Sequence, residues 1–147
     1  MPTQKEVSEF IASQKSILFY VKFKKALEHV LLKMPDEDYY SLTDNLILMV
    51  LHEGALGQVM HFPPKKSKFK ILQFTVPNSI PDDVLRFAIA HEFGHVKQER
   101  NWQEIDSPTL EENADKAAEK FGFPKTDSID KWIKNHRNKL GFYSTDQ

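Results

Sequence analysis

The chain has 147 residues, and its 20 Lys and Arg against 21 Asp and Glu give a formal net charge of -1. This length predicts one domain, and the balanced charge argues against a direct nucleic-acid partner, because there is no basic surplus to bind phosphates. Cysteine is absent, which excludes disulfides and thiol catalysis, so any metal must be held by nitrogen and oxygen. The charged first residues and the lack of a long apolar run predict a cytoplasmic protein with no membrane partner.

Two apolar segments open the chain. Between Val7 and Val21 apolar residues recur at helical spacing; the stretch SILFYVKF within it also satisfies a strand pattern, and we favour helix. The second block, from Leu46 to Leu56, ends at glycines and predicts a buried helix. After it, GQVMHF and KFKILQFTV flank the breaker PPKKSK and predict two strands of a small antiparallel sheet. The nearby side chains that we interpret as structural or solvated are His52, His61, Lys65, Lys66, Lys68 and Lys70.

Three helices are predicted after the sheet. The first has Ser79 as its candidate cap and extends to about Arg100. The second begins at Ser107 and stops at Gly122, just before Pro124. The third begins at Asp127 or Ser128 and ends at Gly141, with an apolar face made by Ile129, Trp132, Ile133, His136 and Leu140. The whole pattern predicts an α+β fold.

The first of these helices carries an HExxH sequence from His91 to His95. Residues four apart project from one face of a helix, so both imidazoles can bind one ion, and a sulfur-free set of nitrogen and oxygen ligands suits zinc. Glu92 lies beside them, where it can activate a zinc-bound water as the general base. The alternative is an ordinary amphipathic helix with surface histidines, against which the apolar approach RFAIAHEFGHV argues.

Glu111 is the expected third zinc ligand, and Asp115, four residues later, is expected to accept a hydrogen bond from a ligating imidazole. The alternative is a solvated acidic first turn, which we favour for Glu112, because one residue rotates a side chain by about 100°. The small residues Ala114, Ala117 and Ala118 predict that this helix approaches the HEFGH helix closely. His136 is a candidate oxyanion donor. A structural histidine is the commoner outcome at such a position, and the alternative donors are Tyr39, Tyr40 and Tyr143.

The run HEFGH, the later pattern of Glu111, Ala114, Asp115 and Ala118, and the closing Phe-Pro pair resemble the ImmA/IrrE family of zinc metallopeptidases. In that family HELGH is followed by an ExxAN-type helix that ends in a proline. The resemblance covers roughly residues 70–124. It implies a minimal zincin-like domain with N-terminal helices, a small sheet, an active-site helix and a glutamate helix. It also implies a regulator or repressor as substrate, often a separately encoded helix-turn-helix protein. The chain departs from the family at Ala117 and Gly122, and no histidine follows soon after His95.

The sequence therefore predicts a zinc-dependent endopeptidase that hydrolyses a peptide bond in a protein substrate, with Glu92 activating the zinc-bound water. A competing hypothesis is a non-catalytic, metal-containing interaction module that captures a regulator or acts in a toxin-antitoxin pair. A third is a metal-free helical domain whose HExxH arose by chance. Metal analysis separates the third hypothesis from the others, and a cleavage assay separates the first two.

Overall fold

The computed structural model describes residues 1–51, 57–60, 70–77, 79–97 and 107–140. The elements in chain order are α1 (Gln4–Ser13), a 3-10 helix (Lys15–Ile17), α2 (Val21–Lys33), α3 (Asp36–Thr43), β1 (Leu46–Leu51), β2 (Gly57–Met60), β3 (Lys70–Thr75), α4 (Asp82–Lys97), α5 (Ser107–Lys120) and α6 (Asp127–Leu140). In this part of the chain no helix is both long and apolar enough to cross a membrane. The mixture of helices with one small sheet agrees with the predicted α+β class.

The N-terminal segment is helical but is not one helix. A capping box begins α1, because the Thr3 side chain accepts from the Glu6 amide and the Glu6 side chain accepts from the Thr3 amide. The chain leaves the helical conformation at Gln14, and α2 begins only at Val21. The ambiguous stretch SILFYVKF thus divides into the 3-10 helix, a turn and the first residues of α2.

The predicted helix from Leu46 is wrong, because Leu46–Leu51 is strand β1. The helix in this part of the chain is α3, which ends at Thr43, and Asn45, with φ of 55°, turns the chain into the strand. β1 runs parallel to β3, from Leu46 opposite Lys70 to Leu51 opposite Thr75. All six residues of β1 are apolar, although only Leu46 and Leu48 are buried, and a continuous apolar run of this length resembles a buried helix as much as a strand.

The sheet has the order β1-β3-β2. β2 pairs antiparallel with β3, from Gly57 opposite Phe74 to Met60 opposite Ile71, as predicted for these two segments. The prediction of an antiparallel sheet is nevertheless wrong for the sheet as a whole, because β1 and β3 are parallel. Lys70 is the first residue of β3 rather than part of a turn, and its Nζ donates to the Ser41 carbonyl at 2.8 Å. His52, His61, Lys65, Lys66 and Lys68 lie outside the described residues.

Side chains shield the outer edge of β1. The Gln14 amide donates to the Leu46 carbonyl at 3.0 Å, and its Oε1 accepts from the Leu48 N–H at 2.9 Å. Ser16 Oγ donates to the Leu48 carbonyl. A strand edge otherwise presents free backbone donors and acceptors, so these contacts satisfy the outward groups of β1 at the Leu46 carbonyl and at both groups of Leu48.

One continuous apolar core joins the helices and the sheet. Its fully buried members include Phe23, Leu27, Leu31, Leu48, Leu72, Phe74, Leu85, Ile89 and Phe93. α4 begins at Asp82, so Ser79 lies too early to be its cap. Thr126, rather than Asp127 or Ser128, caps α6, because its Oγ1 accepts from the Ile129 amide at 3.3 Å. The predicted limits Arg100 and Gly141 lie outside the described residues.

Candidate metal centre

α4 places the two histidines of the HExxH sequence on one face, one turn apart. The Nε2 atoms of His91 and His95 are 3.1 Å apart, and the two rings meet edge to face with centroids 4.7 Å apart. Both side chains are largely buried, with 15% and 17% of their surface exposed. Two imidazole nitrogens therefore converge on one point at the edge of the core.

α5 brings a carboxylate to the same point. Glu111 Oε2 lies 2.8 Å from His91 Nε2, and Glu111 Oε1 lies 3.2 Å from His95 Nε2. Glu112 is exposed instead, and its Oε1 lies 3.3 Å from Lys116 Nζ on the same helix. The structure thus places Glu111, and not its neighbour, against the two histidines.

Gly94 allows the two helices to come this close. A Cβ at this position would lie 3.0 Å from the Cα and carbonyl oxygen of Ala114 and 3.0 Å from the Ala117 Cβ. Because two of these are backbone atoms, any larger residue would push α5 away. The alanines predict the close approach, whereas our sequence analysis missed the role of Gly94. The sequence signal for this role is a glycine inside a predicted helix. Glycine there lowers helix stability by roughly 1 kcal/mol relative to Ala, so its presence indicates a close contact that a side chain would block.

Asp115 contacts the other side of His91. His91 Nδ1 and Asp115 Oδ1 are 2.8 Å apart, and Asp115 Oδ2 lies 2.9 Å from Lys125 Nζ. Nδ1–H donates to this carboxylate, so in the neutral ring it is Nε2, the atom that faces Glu111 and His95, whose lone pair is available to a metal. Sequence reasoning identified Asp115 but not Lys125, which carries no spacing signal because it lies in the link after α5.

In the chain alone these contacts favour a positive charge at the centre. Burial lowers the pKa of His91, but hydrogen bonds to Asp115 and Glu111 outweigh it and raise the pKa to about 10. Burial raises the pKa of Glu111, whereas hydrogen bonds from His91 and His95 hold it well below its usual range. Burial likewise raises the pKa of Asp115, but hydrogen bonds from His91 and Lys125 lower it overall. Without a metal, a proton on His91 therefore lies between the ring and Glu111, at the position that a metal cation would take.

Glu92 is the buried carboxylate of the site, with 6% of its surface exposed. Burial raises its pKa, and attraction to His91 and His95 offsets this only in part. Ligand atoms of His91, Glu92 and His95 all lie within 4.8 Å of one another, so this cluster is able to hold a metal ion. Glu92 Oε2 is nevertheless 4.0 Å from His91 Nε2, farther than Glu111 at 2.8 Å. The distances favour Glu111 over Glu92 as the third ligand.

The candidate oxyanion donors have other partners. His136 stacks on Trp132 with ring centroids 4.0 Å apart, and its Nδ1 lies 2.8 Å from the Trp132 carbonyl oxygen. The hydroxyls of Tyr39 and Tyr40 both donate to Glu6 in α1, at 3.2 Å and 2.8 Å. Tyr143 lies outside the described residues. Among the described residues, the hydrogen bonds of Tyr39, Tyr40 and His136 thus lead to Glu6 and Trp132 and not to His91 or His95.

Comparison with known proteins adds no relative: no family model, curated protein or solved structure matches the chain. The geometry of the centre thus stands as the main support for any function.

Proposed function

We propose that the protein is a zinc-dependent endopeptidase of the kind that the ImmA/IrrE resemblance implies, acting on a separate regulator or repressor protein. The observation that carries the proposal is the convergence of His91 Nε2, His95 Nε2 and the Glu111 carboxylate within 2.8 to 3.2 Å of one another. The buried carboxylate of Glu92 lies beside them. This is the ligand set, with an adjacent base, that a hydrolytic zinc site requires.

The donor atoms fit zinc in type and in spacing. Two ligands bound at 2.0 to 2.1 Å in tetrahedral geometry lie about 3.3 Å apart. The 3.1 Å between the two Nε2 atoms agrees with this value. Glu111 presents a different oxygen to each ring, Oε2 at 2.8 Å from His91 and Oε1 at 3.2 Å from His95, so a single ligating oxygen would have to shift slightly. Calcium and magnesium prefer all-oxygen shells, so two imidazoles favour zinc over either.

Each side chain has a distinct part in the proposed reaction. When bound, zinc supplies Lewis-acid activation of water and of the scissile carbonyl. Glu92 accepts the proton of the attacking water and delivers it to the leaving amine, a task suited to a carboxyl whose pKa burial has raised. His136 would have to be doubly protonated to act as the oxyanion donor, because a neutral ring that donates from Nδ1 to Trp132 keeps only an acceptor at Nε2.

The experiment measures zinc content and cleavage together. The zinc-reconstituted chain is expected to hold about one zinc per molecule and to cleave members of a peptide library. Glu92→Gln should keep the zinc and lower cleavage by roughly 10² to 10⁴, the loss expected for removal of a general base. Glu112→Gln makes the same change at an exposed carboxylate and should cleave normally. Absence of zinc contradicts the proposal, and zinc without cleavage favours the interaction module.

A further inference from the structure

Lys125 completes a chain of contacts that leads to the metal centre. Its Nζ lies 2.9 Å from Asp115 Oδ2, while Asp115 Oδ1 lies 2.8 Å from His91 Nδ1. Each oxygen of one carboxylate therefore has its own partner. Lys125 Nζ also lies 5.9 Å from the centroid of the Phe87 ring, whose own centroid is 5.6 Å from that of His91. Lys125 thus contacts both the carboxylate and the ring that pack against His91.

The turn after α5 fixes the position of Lys125. The Gly122 amide donates to the Glu119 carbonyl and the Phe123 amide to the Ala118 carbonyl, both at 2.9 Å. Gly122 has φ of 97°, so the turn has the hydrogen bonds and the left-handed glycine of a Schellman motif. Phe123 is buried next, and Pro124 restricts the backbone directly before Lys125. The lysine is held by a defined turn rather than by a long loop.

We propose that Lys125 is a positioning residue for His91, acting through Asp115; this inference rests on the proposed zinc site. A carboxylate with a single hydrogen bond can rotate about its terminal torsion, which is broad for Asp. A second partner on the other oxygen fixes the carboxylate plane. The His91 ring, and the direction in which its Nε2 points, are fixed with it.

The direction in which metal affinity changes when the Lys125 amine is removed separates a positioning role from a direct effect of its charge. The Lys125 ammonium repels any metal cation, so charge alone predicts that its removal strengthens metal binding. The Lys125 and Asp115 side chains are 33% and 27% exposed, so water screens this repulsion only in part. Loss of the fixed Asp115 carboxylate predicts the opposite sign, and the positioning role therefore requires that removal of the amine weaken metal binding.

The test is zinc affinity, measured on the full chain by competition with a chromophoric chelator. Lys125→Met keeps the aliphatic stem but loses the amine, and it should bind zinc about 3- to 10-fold more weakly, less than the 10- to 100-fold typical of a direct partner of a ligand. Lys125→Arg keeps a cationic donor at this position and should bind zinc about as tightly as the unmodified chain. Lys116→Met, which removes a lysine paired with Glu112 on α5, is the matched control and should bind as the unmodified chain does. The visible spectrum of bound Co²⁺ should change in Lys125→Met only, and melting temperatures of the metal-free variants check the fold.

A double variant tests the route through Asp115. In the Asp115→Asn background, Lys125→Met should cause no further loss of affinity. Unchanged or tighter binding in Lys125→Met, or an equal loss in both backgrounds, overturns the positioning role while leaving the zinc site intact. If the unmodified chain binds no zinc, the proposed function fails and this inference fails with it. If the unmodified chain binds zinc and Lys125→Met binds it equally well, only this inference fails.

Discussion

The region built from α1, α2 and the sheet differs in kind from the interface of α4 and α5. Among the described residues of the first region the buried side chains are almost all apolar, and the buried amide of Gln14 both donates to and accepts from the backbone of β1. In the second region ionisable groups meet: His91, Glu92 and Glu111 lie within a few ångströms of one another. Burial of apolar side chains stabilises the first region, whereas in the second region burial removes charged groups from water and costs free energy.

α4 belongs to both regions. Leu85 and Ile89 lie fully buried in the core, whereas His91 and His95 contact α5. The core thereby fixes the helix that carries the histidines before any ion binds. Fold stability and metal binding should therefore respond to different substitutions, and the following ones test that separation.

The largest expected effect is on stability. Phe23 is fully buried, with its ring 4.9 Å from that of Phe74, and Phe23→Ala should lower the free energy of unfolding by about 3 to 5 kcal/mol. Phe19 is 93% exposed, so Phe19→Ala is the matched control and should change it by less than about 0.5 kcal/mol. Urea unfolding measures both. The milder Phe23→Leu should keep the zinc affinity, and a large loss of affinity there would show that the two regions are not separable.

The second effect is on metal binding alone. Glu111→Ala removes the proposed third ligand and should weaken zinc binding by more than about 100-fold, beyond the range for indirect partners. Glu112→Ala removes an exposed carboxylate one residue away and should have little effect. Zinc titration of both variants decides the matter. If Glu112→Ala loses the zinc and Glu111→Ala keeps it, the assignment of the ligand is wrong.

The third effect is on the pH dependence of zinc binding. The pKa of His91 is raised to about 10 in the chain alone, so its ring carries a proton at neutral pH that zinc must displace. Zinc affinity should therefore rise with pH, by about tenfold per pH unit for one displaced proton, between about pH 6 and pH 8. Asp115→Asn removes the first of the hydrogen bonds that raise this pKa, and the slope should become shallower. Calorimetry in buffers of different ionisation enthalpy counts the proton, and an equal slope in both proteins would contradict the prediction.

The smallest effect concerns the close contact between α4 and α5. Gly94→Ala adds a Cβ 3.0 Å from the Ala114 backbone; overpacking outweighs the gain in helix propensity, for a net loss of about 1 kcal/mol. Zinc affinity should fall too, because α5 and Glu111 are displaced. Ile11→Val is the control, since it removes one methyl group from a buried residue of α1 and costs a similar amount of stability, about 1 kcal/mol, without changing a residue of α4 or α5. Equal zinc affinity in both variants would show that the close approach is not needed.

The sequence predicted the helices α4, α5 and α6 from their apolar spacing and from breakers such as Gly122 and Pro124 after α5, but it misplaced the caps of α4 and α6. It also predicted which face of α5 meets the histidines, since HExxH and the later Glu111 and Asp115 obey helical spacing. These are local patterns, and local patterns are what a single sequence contains.

The features that it did not predict depend on distant contacts. β1 is a strand because it pairs with β3, more than 20 residues later, and six apolar residues alone fit a helix equally well. The antiparallel prediction failed for the same reason, since adjacency of β2 and β3 says nothing of where β1 pairs. Lys125 reaches His91 only through the turn at Gly122 and the carboxylate of Asp115.

The Gln14 side chain has a consequence for encounters between molecules. Its amide reproduces the donor and acceptor of a neighbouring strand, so the edge of β1 offers no free partner at Leu46 and Leu48 to another chain. The strand is apolar, and Ile47 is 41% exposed on it, a combination that favours sheet-to-sheet association when an edge is open. Without that amide, two folded copies could join edge to edge. One glutamine, remote in sequence from the strand, thereby occupies backbone groups of β1 with which a second copy could otherwise pair.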